Sequence, residues 1–226
     1  MKKSIFFLVI VLVGFFNILF ALEEPLALLL NTPDYGANLS PVEKFLKKNE
    51  IPYSLYKTFE GEFPKVDDYS ALIVGGGSSF FNYFDGNNEE LIGVELIKKT
   101  NKPVLGICLG CQIIGKAYGV ELKFDEERKW NFLEIVNDDI IFTGVPEKSN
   151  VWENHLYALS ETPDGFELLA TDSDGTIQVI KHKEKYMYGL QFHPEKDDGK
   201  KINHGKMIFL NFIAIVEYLE KAESRR

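Results

Sequence analysis

The stretch GICLGCQ at residues 106–112 decides the fold predicted for this chain. It follows a short apolar run typical of a buried strand and leads into Leu109 to Tyr118, which has the spacing of a helix. Gly106 and Gly110 stand two positions to either side of Cys108, and such glycines relieve the crowding of a sharp strand-to-helix turn. The pattern predicts a nucleophile elbow, which presents Cys108 beside backbone N–H groups able to hold negative charge. A buried structural thiol is the alternative.

Outward from this stretch, short apolar runs alternate with amphipathic stretches. This alternation predicts an α/β fold in three layers, with a mostly parallel central sheet flanked by helices. No composition break marks a second domain, so residues 23–226 are predicted to form one catalytic domain. The expected strands are 25–31, 53–57, 71–74, 103–107, 121–124, 132–136, 166–171, 176–182 and 187–192, and the expected helices are 41–49, 89–100, 109–118 and 205–220.

The first 22 residues have a different character. Two lysines precede an apolar run from Ile5 to Ala21, which is typical of a secretory signal and nearly long enough to span a bilayer. Leu19 stands where a cleavage site prefers a small residue, so a cleaved signal peptide and an uncleaved membrane anchor both stay open for residues 1–22. Either one predicts that residues 23–226 are periplasmic or extracellular, with membrane contact only through residues 1–22 if they are uncleaved. A buried N-terminal helix is the remaining alternative.

Composition narrows the function classes. The 226 residues are 45% hydrophobic and 26% charged, which is ordinary for a globular protein. The formal net charge of −9 argues against a surface that follows phosphates, so no nucleic-acid partner is expected. Only two cysteines occur, Cys108 and Cys111, so no disulfide framework holds the fold. Their C-x-x-C spacing leaves open an exported thiol redox protein, or a regulatory disulfide that inactivates an enzyme.

A cysteine hydrolase also needs a base, and His193 is the best placed of the four histidines. It follows a predicted strand and precedes Pro194 and Glu195. Residues i and i+2 of an extended backbone share a face, so Glu195 can accept a hydrogen bond from the His193 ring and fix its orientation. A surface His-Pro-Glu turn without catalytic function is the alternative.

Together, GICLGCQ at 106–112 and QFHPE at 191–195 resemble the paired signatures of class I glutamine amidotransferases. The resemblance covers nearly all of residues 25–218 and implies the flavodoxin-like fold of that family. It also implies that Cys108 attacks the side-chain amide of glutamine, that His193 handles the protons and that Glu195 orients His193.

The resemblance further implies an oxyanion hole formed by backbone N–H groups of Gly75, Gly76 and Leu109. The family commonly places a proline after the two glycines, where this chain has Gly77, and we expect a looser loop there. The aromatic run at 80–84 is predicted to be a flap over the pocket, a partner-facing patch or packing beneath the loop.

Three residues are candidates for substrate binding. Gln112 matches the family glutamine that helps to seat the substrate, although a solvated helix position would look the same. Asn154 and His155 lie where the family usually has a serine-histidine pair whose backbone meets the amino-acid head of the substrate. Asn154 departs from that pattern, which puts selectivity among γ-glutamyl compounds in doubt. The other two histidines, His182 and His204, are expected at the surface.

The leading hypothesis is therefore a glutaminase-type cysteine amidohydrolase that releases ammonia and glutamate through a γ-glutamyl thioester, with no metal or cofactor. An exported γ-glutamyl peptidase is the first alternative, and a non-catalytic interaction domain of the same fold is the second. Family members that make products with the ammonia pass it to an acceptor domain, which this sequence lacks. A separate synthetase subunit is one way to supply it, whereas the predicted export favours a stand-alone hydrolase.

Overall fold

The structure is a computed structural model that describes residues 21–35, 38–65, 68–77, 93–197 and 199–225. The predicted leader at 1–22 lies almost wholly outside the described residues, and so does the aromatic run at 80–84. Within the described part of the chain, no helix is both long enough and apolar enough to cross a membrane.

The described residues form a nine-stranded sheet in the order β2-β1-β3-β4-β9-β8-β7-β5-β6. The first five strands in that order are parallel, and the remaining pairings are antiparallel. This mixed sheet with helices on both sides confirms the predicted α/β class. The strands are β1 (Leu26–Leu30), β2 (Tyr53–Lys57), β3 (Leu72–Val74), β4 (Val104–Ile107), β5 (Leu122–Ile135), β6 (Ser149–Leu159), β7 (Phe166–Asp172), β8 (Ile177–His182) and β9 (Met187–Leu190).

Helices cover both faces of the sheet. Buried hydrophobic residues form two clusters, one on each face of the sheet. Leu28 of β1 belongs to the cluster on the side of α1 and α4, and Leu29 belongs to the cluster on the side of α2 and α3. Strand β1 is buried on both faces, which explains its continuous apolar sequence. The helices are α1 (Pro41–Lys48), α2 (Val94–Lys99), α3 (Leu109–Ala117) and α4 (Gly205–Glu223).

Two parts of the predicted sheet were wrong. Separate strands were expected at 121–124 and 132–136, but both belong to β5, which continues through the charged residues between them and carries a bulge between Phe124 and Glu127. Strand β6 was not predicted at all. Its buried positions include Glu153 and His155, so the alternation of buried and exposed residues does not show as an alternation of apolar and polar residues.

Very close packing brings α3 against the ends of β3 and β4. A Cβ atom on Gly110 would lie 2.0 Å from the backbone oxygen of Val74, and one on Gly106 would lie 2.5 Å from the oxygen of Gly110. Only glycine fits at these positions. The carboxyl ends of β3, β4 and β9, which precede Gly75, Cys108 and the His193 segment, consequently meet at one edge of the sheet.

We expect Gly110→Ala to lower the free energy of unfolding by about 2–3 kcal/mol, because the backbone of Val74 has to shift to admit a methyl group. Urea unfolding measures the change. Lys47→Ala, at an exposed position of α1, is the control and should change stability by less than about 0.5 kcal/mol. Equal unfolding midpoints for Gly110→Ala and the wild type would contradict the close packing.

Candidate active site

Cys108 occupies the turn between β4 and α3 with φ 51° and ψ −104°, a conformation that non-glycine residues rarely adopt. Its backbone N–H donates to the Leu190 carbonyl oxygen at 2.7 Å, which ties the elbow to the end of β9. The residue is only 4% exposed. Its Sγ lies 3.8 Å from the backbone oxygen of Asn154 and 3.9 Å from Nε2 of Gln191, which donates to the sulfur.

His193 and Glu195 meet beside this elbow. The Nδ1 atom of His193 lies 2.7 Å from Oε1 of Glu195. A carboxylate accepts hydrogen bonds, so Nδ1 carries the proton and donates. The backbone N–H of His193 donates to the Trp152 carbonyl oxygen at 2.8 Å, and Nδ2 of Asn203 donates to the His193 carbonyl oxygen at 2.8 Å. The ring is therefore held at its backbone and at one nitrogen.

The other ring nitrogen, Nε2 of His193, is buried and has no hydrogen-bond partner at ordinary distance within the described residues. Burial alone lowers the pKa of His193, but the charges of Glu195 and Cys108 outweigh it and hold that pKa well above its usual range. The imidazole thus favours its protonated form next to the sulfur.

The predicted oxyanion hole needs one correction. The N–H of Gly75 donates to the Leu29 carbonyl oxygen at 2.9 Å, so it continues the sheet and does not face a substrate. Gly76 is the glycine of this turn that lies beside the site, since a Cβ on it would lie 3.2 Å from Cε1 of His193 and 3.7 Å from Cβ of Cys108. Leu109 is the first residue of α3, where N–H groups have no partner within the helix.

Gly77 packs closely against the side chains of Thr32 and Leu109. A Cβ at this position would lie 2.5 Å from Oγ1 of Thr32 and 3.0 Å from Cδ2 of Leu109. Thr32 in turn donates to Asp34 at 2.6 Å. The side chain of Thr32 therefore occupies the space that a larger residue at position 77 would need.

Gln112 lies on α3, one turn after the elbow, and is only 3% exposed, so it is not a solvated helix position. Its Nε2 donates to the Tyr157 carbonyl oxygen at 2.5 Å and to Oε1 of Gln191 at 3.3 Å. Both amide hydrogens are used inside the protein. Gln112 can thus offer a substrate its carbonyl oxygen, which accepts.

Asn154 and His155 lie side by side on β6 but face opposite ways. Asn154 is exposed at the pocket, whereas His155 is 7% exposed. Both ring nitrogens of His155 contact protein atoms, with Nδ1 2.9 Å from the Asp125 carbonyl oxygen and Nε2 3.4 Å from Oε2 of Glu153. A role for His155 in binding substrate is consequently confined to its backbone.

These residues surround a cavity of about 460 Å³. Tyr35 also lines this cavity and was not predicted from the sequence. Burial and the nearby carboxylates of Glu195 and Asp34 raise the pKa of its hydroxyl to about 12. The role of Gln191 was not predicted either, although that residue belongs to the quoted QFHPE motif. The lining residues are Asp34, Tyr35, Gly77, Cys108, Gln112, Glu126, Glu127, Arg128, Asn154, His155, Leu156, Tyr157 and His193.

The remaining cysteine and histidines lie outside this cavity. Cys111 is a fully buried free thiol, and burial raises its pKa well above the usual range. It belongs to the core on the opposite face of the sheet from the cluster that contains Cys108. His182 and His204 are half-buried rather than at the surface, because His182 packs against Phe166 and His204 accepts from the Asn150 N–H.

Comparisons with known proteins show which family this chain is similar to. A sequence profile of the family described as "Glutamine amidotransferase class-I" matches residues 42–215. The A subunit of the glutamine-hydrolyzing GMP synthase of Methanobrevibacter smithii is 37% identical over 177 residues, which are 77% of this chain and 88% of that protein. The corresponding A subunit of Pyrococcus abyssi is 39% identical over 150 residues, 66% of this chain and 76% of that protein.

Solved structures show the same fold. A crystal structure from Thermoplasma acidophilum, described as that of a GMP synthase A-subunit protein, matches with a TM-score of 0.72 at 24% identity, covering 89% of this chain and 98% of that one. A glutamine amidotransferase from Thermotoga maritima matches with a TM-score of 0.64 at 21% identity, covering 87% and 94%.

We expect Glu195→Gln to lower the pKa of His193, because the carboxylate charge that supports the imidazolium is lost. Turnover should fall by roughly 10²- to 10⁴-fold, as when the orienting acid of a triad is neutralised. An NMR titration of the imidazole and steady-state rates measure the two effects. Glu161→Gln, at an exposed position, is the matched control. An unchanged His193 titration in Glu195→Gln would contradict the assigned contact.

Proposed function

Because this chain belongs to the class I glutamine amidotransferase family, we propose that it hydrolyses the side-chain amide of glutamine with Cys108, His193 and Glu195. The observation that carries this proposal is the 2.7 Å contact between Nδ1 of His193 and Oε1 of Glu195. The same imidazole lies next to Cys108, and both residues line the cavity. A glutamine amidotransferase is an enzyme, so the non-catalytic interaction domain is set aside.

In the first half of the proposed cycle, the Cys108 thiolate attacks the amide carbon of glutamine. The carbonyl oxygen becomes an oxyanion, which the backbone N–H groups of Gly76 and Leu109 are proposed to stabilise; such donors are typically worth about 3–4 kcal/mol each. The His193 imidazolium then gives its Nε2 proton to the leaving nitrogen. Ammonia departs, and a γ-glutamyl thioester remains on Cys108.

In the second half, water replaces the cysteine. Neutral His193 takes a proton from that water, and the resulting hydroxide attacks the thioester carbon. Glutamate leaves, and the cysteine returns to a thiolate next to a protonated imidazole. Glu195 accepts from Nδ1 throughout, which keeps Nε2 as the nitrogen that exchanges protons.

The head of the substrate is proposed to lie against β6 and the rim of the cavity. The backbone oxygen of Asn154 is suited to accept from an α-amino group, and the oxygen of the Gln112 amide is a second acceptor. The rim carries Asp34, Glu126 and Arg128, so it offers both charge signs to a zwitterionic amino acid. These features suit the free α-amino and α-carboxyl groups that glutamine shares with γ-glutamyl peptides, and glutamine is proposed ahead of them because the relatives quoted above are named as glutamine-hydrolyzing.

The fate of the ammonia is proposed from the relatives. Those quoted above are named as the A subunit of a glutamine-hydrolyzing GMP synthase, a name that implies another subunit. We propose that this chain likewise supplies ammonia to a separate synthetase subunit. This replaces the stand-alone hydrolase that was favoured on the predicted export alone.

A second candidate is an exported amidohydrolase that acts alone. The two lysines and the apolar run from Ile5 to Ala21 favour it. An ATP-dependent acceptor would lack its energy source beyond the membrane, so export and a synthetase partner exclude one another.

We expect the full-length chain to release ammonia from glutamine, and Cys108→Ala to reduce that rate by more than about 10³-fold. Cys111→Ala is the matched control, since it removes the other thiol and leaves the nucleophile in place. Ammonia is measured alongside amine release from γ-glutamyl dipeptides. Turnover of the dipeptides without turnover of glutamine would contradict the proposal and favour the peptidase.

The second candidate predicts that alkaline phosphatase fused after residue 226 is active in a bacterial host, because that enzyme matures only outside the cytoplasm. Deletion of residues 1–21 should abolish the activity. An inactive full-length fusion that is present at normal levels would exclude export and leave a synthetase partner as the acceptor.

A further inference from the structure

A second histidine–glutamate pair lies behind the active site. Glu153 and His155 are two positions apart on β6, and Oε2 of Glu153 is 3.4 Å from Nε2 of His155. Glu153 is fully buried, and the side chain of His155 is 1% exposed. The reaction described above uses neither side chain.

The hydrogen bonds of His155 show where its protons are. Its Nδ1 lies 2.9 Å from the carbonyl oxygen of Asp125, and a carbonyl can only accept, so Nδ1 carries a proton. Nε2 then faces the Glu153 carboxyl. Without a proton between them, two acceptors would face each other in a site closed to water, so the pair holds one further proton, on the imidazole or on the carboxyl.

The surroundings make loss of that proton costly. Burial raises the pKa of the Glu153 carboxyl, and the Asp172 carboxylate adds to the rise, while His155 and Asn131 oppose it. The Oε1 atom of Glu153 has no hydrogen-bond partner among the described residues. On β5, Glu127 stands opposite His155 and Lys129 opposite Glu153, with Arg128 between them opposite Asn154. Asp172 of β7 adds its charge, Lys129 is bound to Glu127 and to Asp174 just beyond β7, and Gln178 of β8 is neutral.

The backbone of the same strand contacts three candidate site residues. The carbonyl oxygens of Trp152 and Tyr157 accept from the His193 N–H and the Gln112 amide, at 2.8 and 2.5 Å. The carbonyl oxygen of Asn154, between Glu153 and His155, lies 3.8 Å from the Cys108 sulfur. The position of β6 therefore sets where these groups stand.

We propose that Glu153 and His155 are positioning residues, which share one retained proton and thereby hold β6 against Cys108, His193 and Gln112. The effect on turnover rests on the proposed glutamine hydrolysis, whereas the effect on stability does not.

Two substitutions of Glu153 separate the shared proton from mere burial. Glu153→Gln resembles the protonated carboxyl, because its amide donates to Nε2 of His155 and has no proton to lose. Glu153→Leu fills the space but gives Nε2 no partner. At pH 7 we expect Glu153→Gln to keep kcat within about threefold and Glu153→Leu to lose about 10- to 100-fold, with little change in KM, through misplacement of β6.

The pH dependence of the Tm distinguishes a retained proton from a purely structural role, which would not change it. The folded chain keeps the shared proton at pH values where the unfolded chain releases it, so wild-type stability falls as pH rises. Relative to Glu153→Gln, the wild-type Tm should fall as the pH rises above about 6.5, the usual pKa of histidine in an unfolded chain, by about 3–5 °C per pH unit for as long as the folded chain holds the proton. Glu134→Gln, at an exposed position of β5, is the control and should follow the wild type.

The outcomes are distinguishable. Parallel Tm curves for the wild type and Glu153→Gln would overturn the retained proton, and a Glu153→Leu variant as active as the wild type would overturn the positioning role. If the wild type does not hydrolyse glutamine, the proposed function fails. The Tm curves then still test the retained proton. The rate at which iodoacetamide alkylates Cys108, compared between the wild type, Glu153→Gln and Glu153→Leu, still tests the positioning. Should Glu153→Leu not fold, Glu153→Gln still tests both parts: parallel Tm curves would overturn the retained proton, and a kcat more than about tenfold below the wild type would overturn positioning through the shared hydrogen bond.

Discussion

The backbone of Cys108 is the constraint on which the site depends. Its positive φ turns the chain directly from β4 into α3, and the turn survives because Gly106, Gly110 and the oxygen of Val74 pack without intervening side chains. Because α3 begins directly after Cys108, its first N–H groups lie beside the sulfur. Strain at one residue therefore turns the sulfur towards the cavity and brings N–H donors beside it.

The elbow and the His193–Glu195 contact could be predicted because each is decided locally. Glycines on either side of Cys108 report a turn, and the i, i+2 spacing places an acid next to an imidazole on any extended backbone. The parallel half of the sheet was equally readable, since strands buried on both faces appear as continuous apolar runs. Each of these features can be predicted without knowing which strands pair.

The parts that could not be predicted depend on pairing. The N–H of Gly75 is unavailable because β3 lies next to β1, and no local pattern reports that neighbour. Strand β6 stayed hidden because polar Glu153 and His155 occupy its inward positions, which are tolerable only when strands distant in sequence close around them. Its carbonyl oxygens nevertheless hold residues that the sequence did identify.

One histidine–glutamate pair thus belongs to β6 and the other is bound to its backbone, and their surroundings assign them opposite tasks. His193 has one nitrogen tied to Glu195, and the other has no hydrogen-bond partner among the described residues and lies beside the sulfur of the proposed nucleophile, so in the proposed reaction its proton can move. His155 has both nitrogens engaged, one of them by a backbone carbonyl that cannot exchange protons. Burial without a reaction partner makes the second proton structural, because any departure leaves a carboxylate facing a lone pair away from water.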